Sequence, residues 1–402
     1  MMHKRKKDSR NILLKNGKVY TMSDEGILDG AEVLIRDGII EGVGYDLETP
    51  GNTESIDVKG CYVMPGIIDA HCHIGLFETA VGVAGNDGNE VADPVTPELR
   101  AIDAIYLLDK EFAHASSHGV TCVATGPGSA NPIAGQFVAM KTAGRTLKEM
   151  IIKEPLAMKV AFGENPKRVY GTKDRSPVTR MATASLIRTW LSKAREYVQK
   201  KDFAKQSDDY EKMPAFDLKL ESLEPVIRRV IPLKAHAHRA DDIITALRIA
   251  EEFNVDITLD HCSEGHLIAD ELAEYGKGVI LGPLTDFPSK PEVANQCPEA
   301  AAILHNAGLT VAIMSDLPAT HVGYLPIAVG LCMKAGLPEM EAFKSITINA
   351  ARILNLDDRI GSLEKGKDGD VIVFSGHPLK DITSKCMLSV INGMICHRDR
   401  EF

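Results

Sequence analysis

No two cysteines in this chain are spaced C-x-x-C, although eight are scattered along it. That argues against a thiolate zinc ribbon or a dithiol redox motif and points to reduced thiols in a cytoplasmic protein. No run approaches the ~18 apolar residues of a membrane-spanning helix, so no membrane partner is expected. No apolar core follows the basic opening MMHKRKKDSR, which therefore does not read as a secretory signal. Residues 1–10 read instead as a disordered basic head. Positive charge is not in excess elsewhere: 46 Lys and Arg against 56 Asp and Glu leave a net charge of −10, which argues against nucleic acid as the main partner. No G-x-G-x-x-G opens a helix after the first strand. The glycine-rich stretch 82–88 has the wrong spacing for a dinucleotide site and reads as a mobile loop.

What the chain does have is size and alternation. At 402 residues and 44% hydrophobic content it can bury a large core, with an appendage or a second domain. Asn16-Gly17, Asp37-Gly38 and Asn392-Gly393 sit between short apolar runs, a hairpin signature that makes both ends antiparallel β. Residues 11–62 and 360–402 are therefore expected to form one small β-sandwich domain. Between them, apolar runs at 63–69, 120–125, 156–162, 230–235, 255–260, 279–282 and 310–315 alternate with helical segments at 97–116, 178–201, 241–253, 266–275, 298–307 and 338–354. This α/β pattern predicts a (β/α)8 TIM-type barrel over 63–359, with 137–141 as the candidate eighth strand.

Polar residues interrupt these runs at their C-terminal ends. The first stops at His71 and His73, which the two-residue strand period points the same way. The run at 230–235 stops at His236 and His238, the run at 255–260 at His261, and the last at Asp316. In a barrel those ends share one mouth, where catalytic residues belong. Imidazoles with a carboxylate suit Zn²⁺, Fe²⁺ or Mn²⁺. Water on such an ion drops in pKa toward ~7 and becomes a nucleophile. Asp316 is then the natural proton shuttle. Other readings weigh less. His238 and His321 are candidate substrate contacts at the mouth, and Lys167, Arg168 and Tyr170 are a weaker candidate grip on a substrate carboxylate or phosphate. His114, His118 and His305 receive no functional reading.

The chain resembles the amidohydrolase superfamily from end to end. The resemblance rests on PGIIDAHCH (65–73), KAHAH (234–238), LDHCSEG (259–265), Ser315-Asp316 and the tail IGSLEKGKDGDVIVF (360–374). GSANPIAGQ (128–136) and AFGENPKR (161–168) look like its imidazolonepropionase-like branch. The resemblance implies that His71, His73, His236, His261 and Asp316 hold one or two divalent ions, zinc first with iron or manganese as alternatives. A bridging ligand would be Glu164 or a carboxylated Lys159, with Glu164 favoured. The implied activity is metal-dependent hydrolysis of a C–N bond in a small molecule: an amide, a cyclic amide or a peptide. An Xaa-Pro-type dipeptidase, an imidazolonepropionase-type ring opener and an inactive metal-binding scaffold are the alternatives. A homo-oligomer stays open.

Overall fold

The computed structural model describes residues 11–79, 81–276, 278–285 and 289–402. The head expected at 1–10 lies outside the described residues. Five strands lead in: β1 (Asn11–Tyr20), β2 (Ile27–Arg36), β3 (Ile39–Gly44), β4 (Thr53–Asp57) and β5 (Tyr62–Pro65). Eight follow in the middle: β6 (Ile67–Cys72), β7 (Val120–Thr125), β8 (Ile133–Lys141), β9 (Ile151–Ala161), β10 (Leu233–Ala237), β11 (Ile257–His261), β12 (Val279–Leu281) and β13 (Val311–Ile313). The chain closes with β14 (Val371–Phe374), β15 (Cys386–Ile391) and β16 (Met394–Arg398).

The terminal strands interleave in one eight-stranded sheet, ordered β16-β15-β14-β5-β1-β2-β3 with β4 beside β1. Asp37-Gly38 turns β2 into β3 and Asn392-Gly393 turns β15 into β16, all four residues at the positive φ that this turn type demands. Asn16-Gly17 behaves differently. It lies inside the continuous strand β1, where the register against β2 shifts between Leu14 and Gly17. A left-handed Asn followed by Gly can insert an extra residue as readily as reverse a strand, so this signal made a bulge.

The middle strands form the second sheet, in sequence order from β6 to β13. Its first and last strands are tied at one end: Asp316 N–H donates to the His71 carbonyl at 3.1 Å and His73 N–H to the Leu317 carbonyl at 2.9 Å. The result is a nearly closed barrel, but not an all-parallel one. β8 runs antiparallel to both β7 and β9. Only residues 126–132 join β7 to β8, too few for the crossover that a parallel neighbour requires. The candidate strand at 137–141 is thus real and longer, with its direction set by its short connection.

Two expected helices shrink or split. The segment at 97–116 holds a short 3-10 turn over Ala101–Asp103 and is α-helical only over Lys110–Ser117, where Asp109 starts the helix by accepting the Glu111 N–H. The segment at 338–354 divides into Glu339–Ser345 and Ile348–Ile353 around Thr347, whose backbone is not helical. The glutamate at 164 opens the helix Glu164–Gly171. Ile68, Cys122, Ala139, Ile280 and Ala312 form a buried cluster with residues of the helix Ile348–Ile353. Phe137 belongs to the same cluster and carries the site on its ring.

Candidate metal centre

The strand ends gather five histidines and Asp316 at one mouth of the barrel. His71, His73, His236, His238 and His261 are all buried, and their rings stand 4.2 to 5.5 Å from one another in successive pairs. The Asp316 carboxylate reaches into the same group, 3.3 Å from His73 Nε2 and 3.5 Å from His71 Nε2. Two sets of donor atoms converge within 4.8 Å: His236 with His238 and His261, and His71 with His261 and Asp316. His261 belongs to both.

Hydrogen bonds at Nδ1 fix which ring atoms face inward. His71 Nδ1 is held at 2.7 Å by Asp260, His73 Nδ1 at 2.7 Å by the Gly126 carbonyl and His261 Nδ1 at 2.8 Å by the Gly282 carbonyl. With Nδ1 so engaged, each ring turns its Nε2 to the centre. Gly126 is required at its place: a Cβ there would stand 2.1 Å from the Phe137 ring. His261 and Asp316 both adopt left-handed backbone, with φ of 71° and 54°. Non-glycine residues pay for that conformation, and such strain gathers at functional sites.

Burial governs the electrostatics. It holds His71 well below the ordinary histidine range, assisted by Lys159, Lys234 and His73, and acts likewise on His236, His238 and His261. Neutral imidazoles are the form a cation needs. The structure also shows the need: the Nε2 atoms of His238 and His261 are buried without a hydrogen-bond partner. An orphaned acceptor in a low-dielectric site costs roughly 1–3 kcal/mol. A divalent ion fits these donors.

Other expected residues are distributed less simply. Lys159 is fully buried, its Nζ 3.3 Å from His71 Nε2, and burial pushes its ammonium down to about 8. Glu164 is half-buried at the first turn of its helix, where its N–H donates to Glu292, and it belongs to neither donor set. Arg168 is exposed on that helix and does not line the chamber. His321 sits apart, with His114 and Glu111. His238 does line the chamber, its Nδ1 2.8 Å from the Ser263 hydroxyl.

The chamber above the histidines encloses about 220 Å³. Its lining also includes residues that sequence reasoning passed over, Asn165, Lys290 and Gln296, with Asn165 Nδ2 3.3 Å from His236 Nε2. Lys290 is paired at 2.6 Å with the buried Glu292, whose carboxylate lies 3.8 Å from His238 Nε2. Asp260 was missed too, although an acid directly before a strand-end histidine was a readable signal. No periodic pattern marks the loop that carries Lys290.

Comparison with known proteins agrees with this centre. Residues 62–397 match the amidohydrolase family, and the chain belongs to it. It is a metal-dependent hydrolase of carbon–nitrogen bonds. The chain is 30% identical, over 92% of its length, to amidohydrolase tasK of Hapsidospora irregularis, of which it spans 41%. It is 26% identical over 88% of its length to an imidazolonepropionase of Symbiobacterium thermophilum, covering 86% of that protein. The crystal structure of an amidohydrolase from Thermotoga maritima superimposes with a TM-score of 0.92 at 41% identity, covering 96% of this chain and all of that one.

Proposed function

We propose that this enzyme cleaves an amide, cyclic amide or peptide bond of a small polar substrate seated in the 220 Å³ chamber. His71, His73, His236, His261 and Asp316 would hold one or two divalent ions, zinc ahead of iron or manganese because the donors are imidazole nitrogens and a carboxylate. The observation that carries this reading is the buried, unpartnered Nε2 of His261, which two converging donor sets share. A bound ion supplies Lewis acidity and a water acidified toward neutral pH.

The residues divide the remaining work. Asp260, Gly126 and Gly282 hold the three Nδ1 atoms, so the inward nitrogens keep their lone pairs. Asp316, with 20% of its side chain exposed, accepts the proton of the attacking water and passes it to the departing nitrogen. His238, held by Ser263, contacts the substrate from the side of Lys290 and Glu292. Arg168 and His321 have no place in this chamber.

For a bridging ligand we favour Lys159 over Glu164, on its 3.3 Å approach to His71. A buried amine that loses its proton easily can add to carbon dioxide, forming an N–C bond and releasing one proton, and the resulting carbamate oxygens are anionic donors. A second reading, ring opening of a cyclic amide, is favoured by the likeness to imidazolonepropionase.

Two further readings are ours as well. The interleaved terminal strands, with their own buried cluster of Ile12, Val33, Ile56, Val371 and Val390, support a small sandwich domain of 11–62 and 360–402 on a barrel of 63–359. Eight unpaired thiols support a cytoplasmic setting. The decisive experiment joins metal analysis to a screen of cyclic amides, N-acyl amino acids and dipeptides. Chelation is expected to abolish turnover, and zinc, manganese or cobalt to restore it. Full activity in a verified metal-free preparation would end the reading.

A further inference from the structure

Beside the histidine chamber lies a larger cavity of about 610 Å³ that the hydrolysis described above does not use. Phe77 lines both, and Leu317, in the wall of the larger one, directly follows Asp316, so the two spaces share a partition. Phe77, Val83, Leu317 and Pro318 make the larger cavity apolar along its length. Among the described residues its lining includes two glutamates, Glu78 and Glu111, and no lysine or arginine.

Glu111 is the informative residue. Its side chain is only 12% exposed. One oxygen accepts from the Thr79 hydroxyl at 3.1 Å. The other, Oε2, is buried and has no hydrogen bond. His321 Nε2 stands 3.1 Å from it and His114 Nδ1 3.7 Å, but those two nitrogens are engaged with each other at 2.5 Å. His321 Nδ1 accepts the Gly323 N–H at 3.2 Å, so a neutral His321 carries its proton on Nε2 and offers it to His114. Burial, followed by the neighbours His118 and His321, holds His114 below its ordinary range, in keeping with a neutral His114 ring.

Glu111, His114 and His321 have the converging donors of a metal site. The tautomer argues otherwise, because a ligating Nε2 needs the lone pair that its proton occupies. With the His321 proton given to His114, Oε2 is left without a hydrogen bond. We propose that this cavity is a subsite for the basic end of an elongated substrate: an alkyl chain lies along Phe77, Leu317 and Pro318 and ends in an ammonium group that donates to Glu111 Oε2. The inference rests on the adjacent chamber being the hydrolytic site only for its second test; the first involves no turnover.

The first test measures binding of pentylammonium and of pentanoate to the full-length protein by calorimetry. A buried charge-assisted hydrogen bond predicts that pentylammonium binds about tenfold more tightly than pentanoate, and that Glu111→Gln abolishes the difference. The exposed Val83→Lys, which adds a cation at the cavity wall without touching the core, should weaken pentylammonium alone, and it serves if Glu111→Gln does not fold. Equal affinities, or a preference for pentanoate from a protonated His114–His321 pair, would overturn the proposal. The second test compares kcat/KM for N-acetyl-lysine and N-acetyl-norleucine. The lysine compound should be favoured about tenfold, through KM, and Glu111→Gln should erase that ratio. If pentylammonium binds through Glu111 while neither compound is hydrolysed, the subsite stands and the hydrolase reading fails for N-acyl amino acids.

Discussion

Lys141 and Lys159 lie on adjacent strands of one barrel, both fully buried, and the protein treats them in opposite ways. Lys141 ends β8 opposite Cys122 near the start of β7, which puts it at the base. There Asp370 at 2.5 Å and Asp368 at 2.8 Å, from the tail that enters β14, clamp it. Burial alone would push its ammonium down, but the two carboxylates outweigh burial and raise it. Lys159 faces the mouth with His71 as its nearest partner, and burial prevails, to about 8. A buried charge that is doubly paired fastens the barrel to its neighbouring sheet. One left short of partners is poised for chemistry.

The largest effect expected belongs to the mouth. Asp316→Asn keeps size and removes the basic carboxylate, so kcat should fall ~10²–10⁴-fold with the fold intact. Kinetics with metal content measured on each variant decide it. A variant that keeps its metal and turns over within a few-fold of the parent would remove Asp316 from proton transfer.

Next comes the base. Lys141→Met leaves Asp370 without a cation in a dry setting, while Asp368 keeps Arg359 at 2.9 Å, and should destabilise by ~3–5 kcal/mol, while each folded molecule turns over as before. Denaturant unfolding measures the loss. A loss below about 1 kcal/mol would show that water reaches the clamp.

The mirror-image variant sharpens the contrast because its sign reverses. Lys159→Met removes an amine that folding disfavours in its charged form. In metal-free protein at pH 7 it should raise stability by ~1–3 kcal/mol while metal retention and activity collapse. The wild-type pH profile carries the same signature. A lysine depressed to about 8 withholds stability below that pH, and metal-free protein regains it as pH climbs from about 8 toward 10.5. Lys141, raised above 10.5, contributes fully below that value and loses its contribution as pH rises through its folded pKa. Chemical denaturation between pH 7 and 11 should therefore show stability rising and then falling. A monotonic fall would place the Lys159 amine in a wetter site than its burial implies.

The smallest effect lies on the surface. Burial works against ionisation of Glu224, but hydrogen bonds from Lys201 and Arg228 outweigh it and lower its pKa. Its stabilisation is present above the ordinary glutamate range and is lost as pH falls through the lowered value. Solvent screening keeps it below about 1 kcal/mol, so Glu224→Gln should shift the acid limb of the unfolding curve only slightly. A shift as large as that of Lys141→Met would erase the distinction between dry and wet pairs.

The parts of this protein that follow local rules could be read along the chain. A two-residue period put His71 and His73 on one side, and apolar runs ending in His236, His261 and Asp316 marked one rim. Asp37-Gly38 and Asn392-Gly393 forecast their turns because the required φ is a property of those residues. The amidohydrolase family was legible for the same reason: its motifs are short and contiguous.

Contacts between distant segments were not legible. Asn16-Gly17 became a bulge because β1 continues to pair with β2 across it. The direction of β8 followed from the reach of seven residues against a barrel wall. Lys159 approaches His71 because β9 carries it along the barrel wall beside β10, whereas Glu164 lies past the end of that strand, where its N–H donates to Glu292. His321 joined Glu111 and His114 rather than the mouth, and Arg168 faces solvent.

The sequence by itself determined which donor types stand at the strand ends, since periodicity and residue chemistry are written locally. Only the tertiary structure decided which atoms of those donors meet. The Nδ1 partners that orient His71, His73 and His261 are Asp260, Gly126 and Gly282, between 21 and 189 residues away. A hydrogen bond across such distances exists only once the barrel has closed.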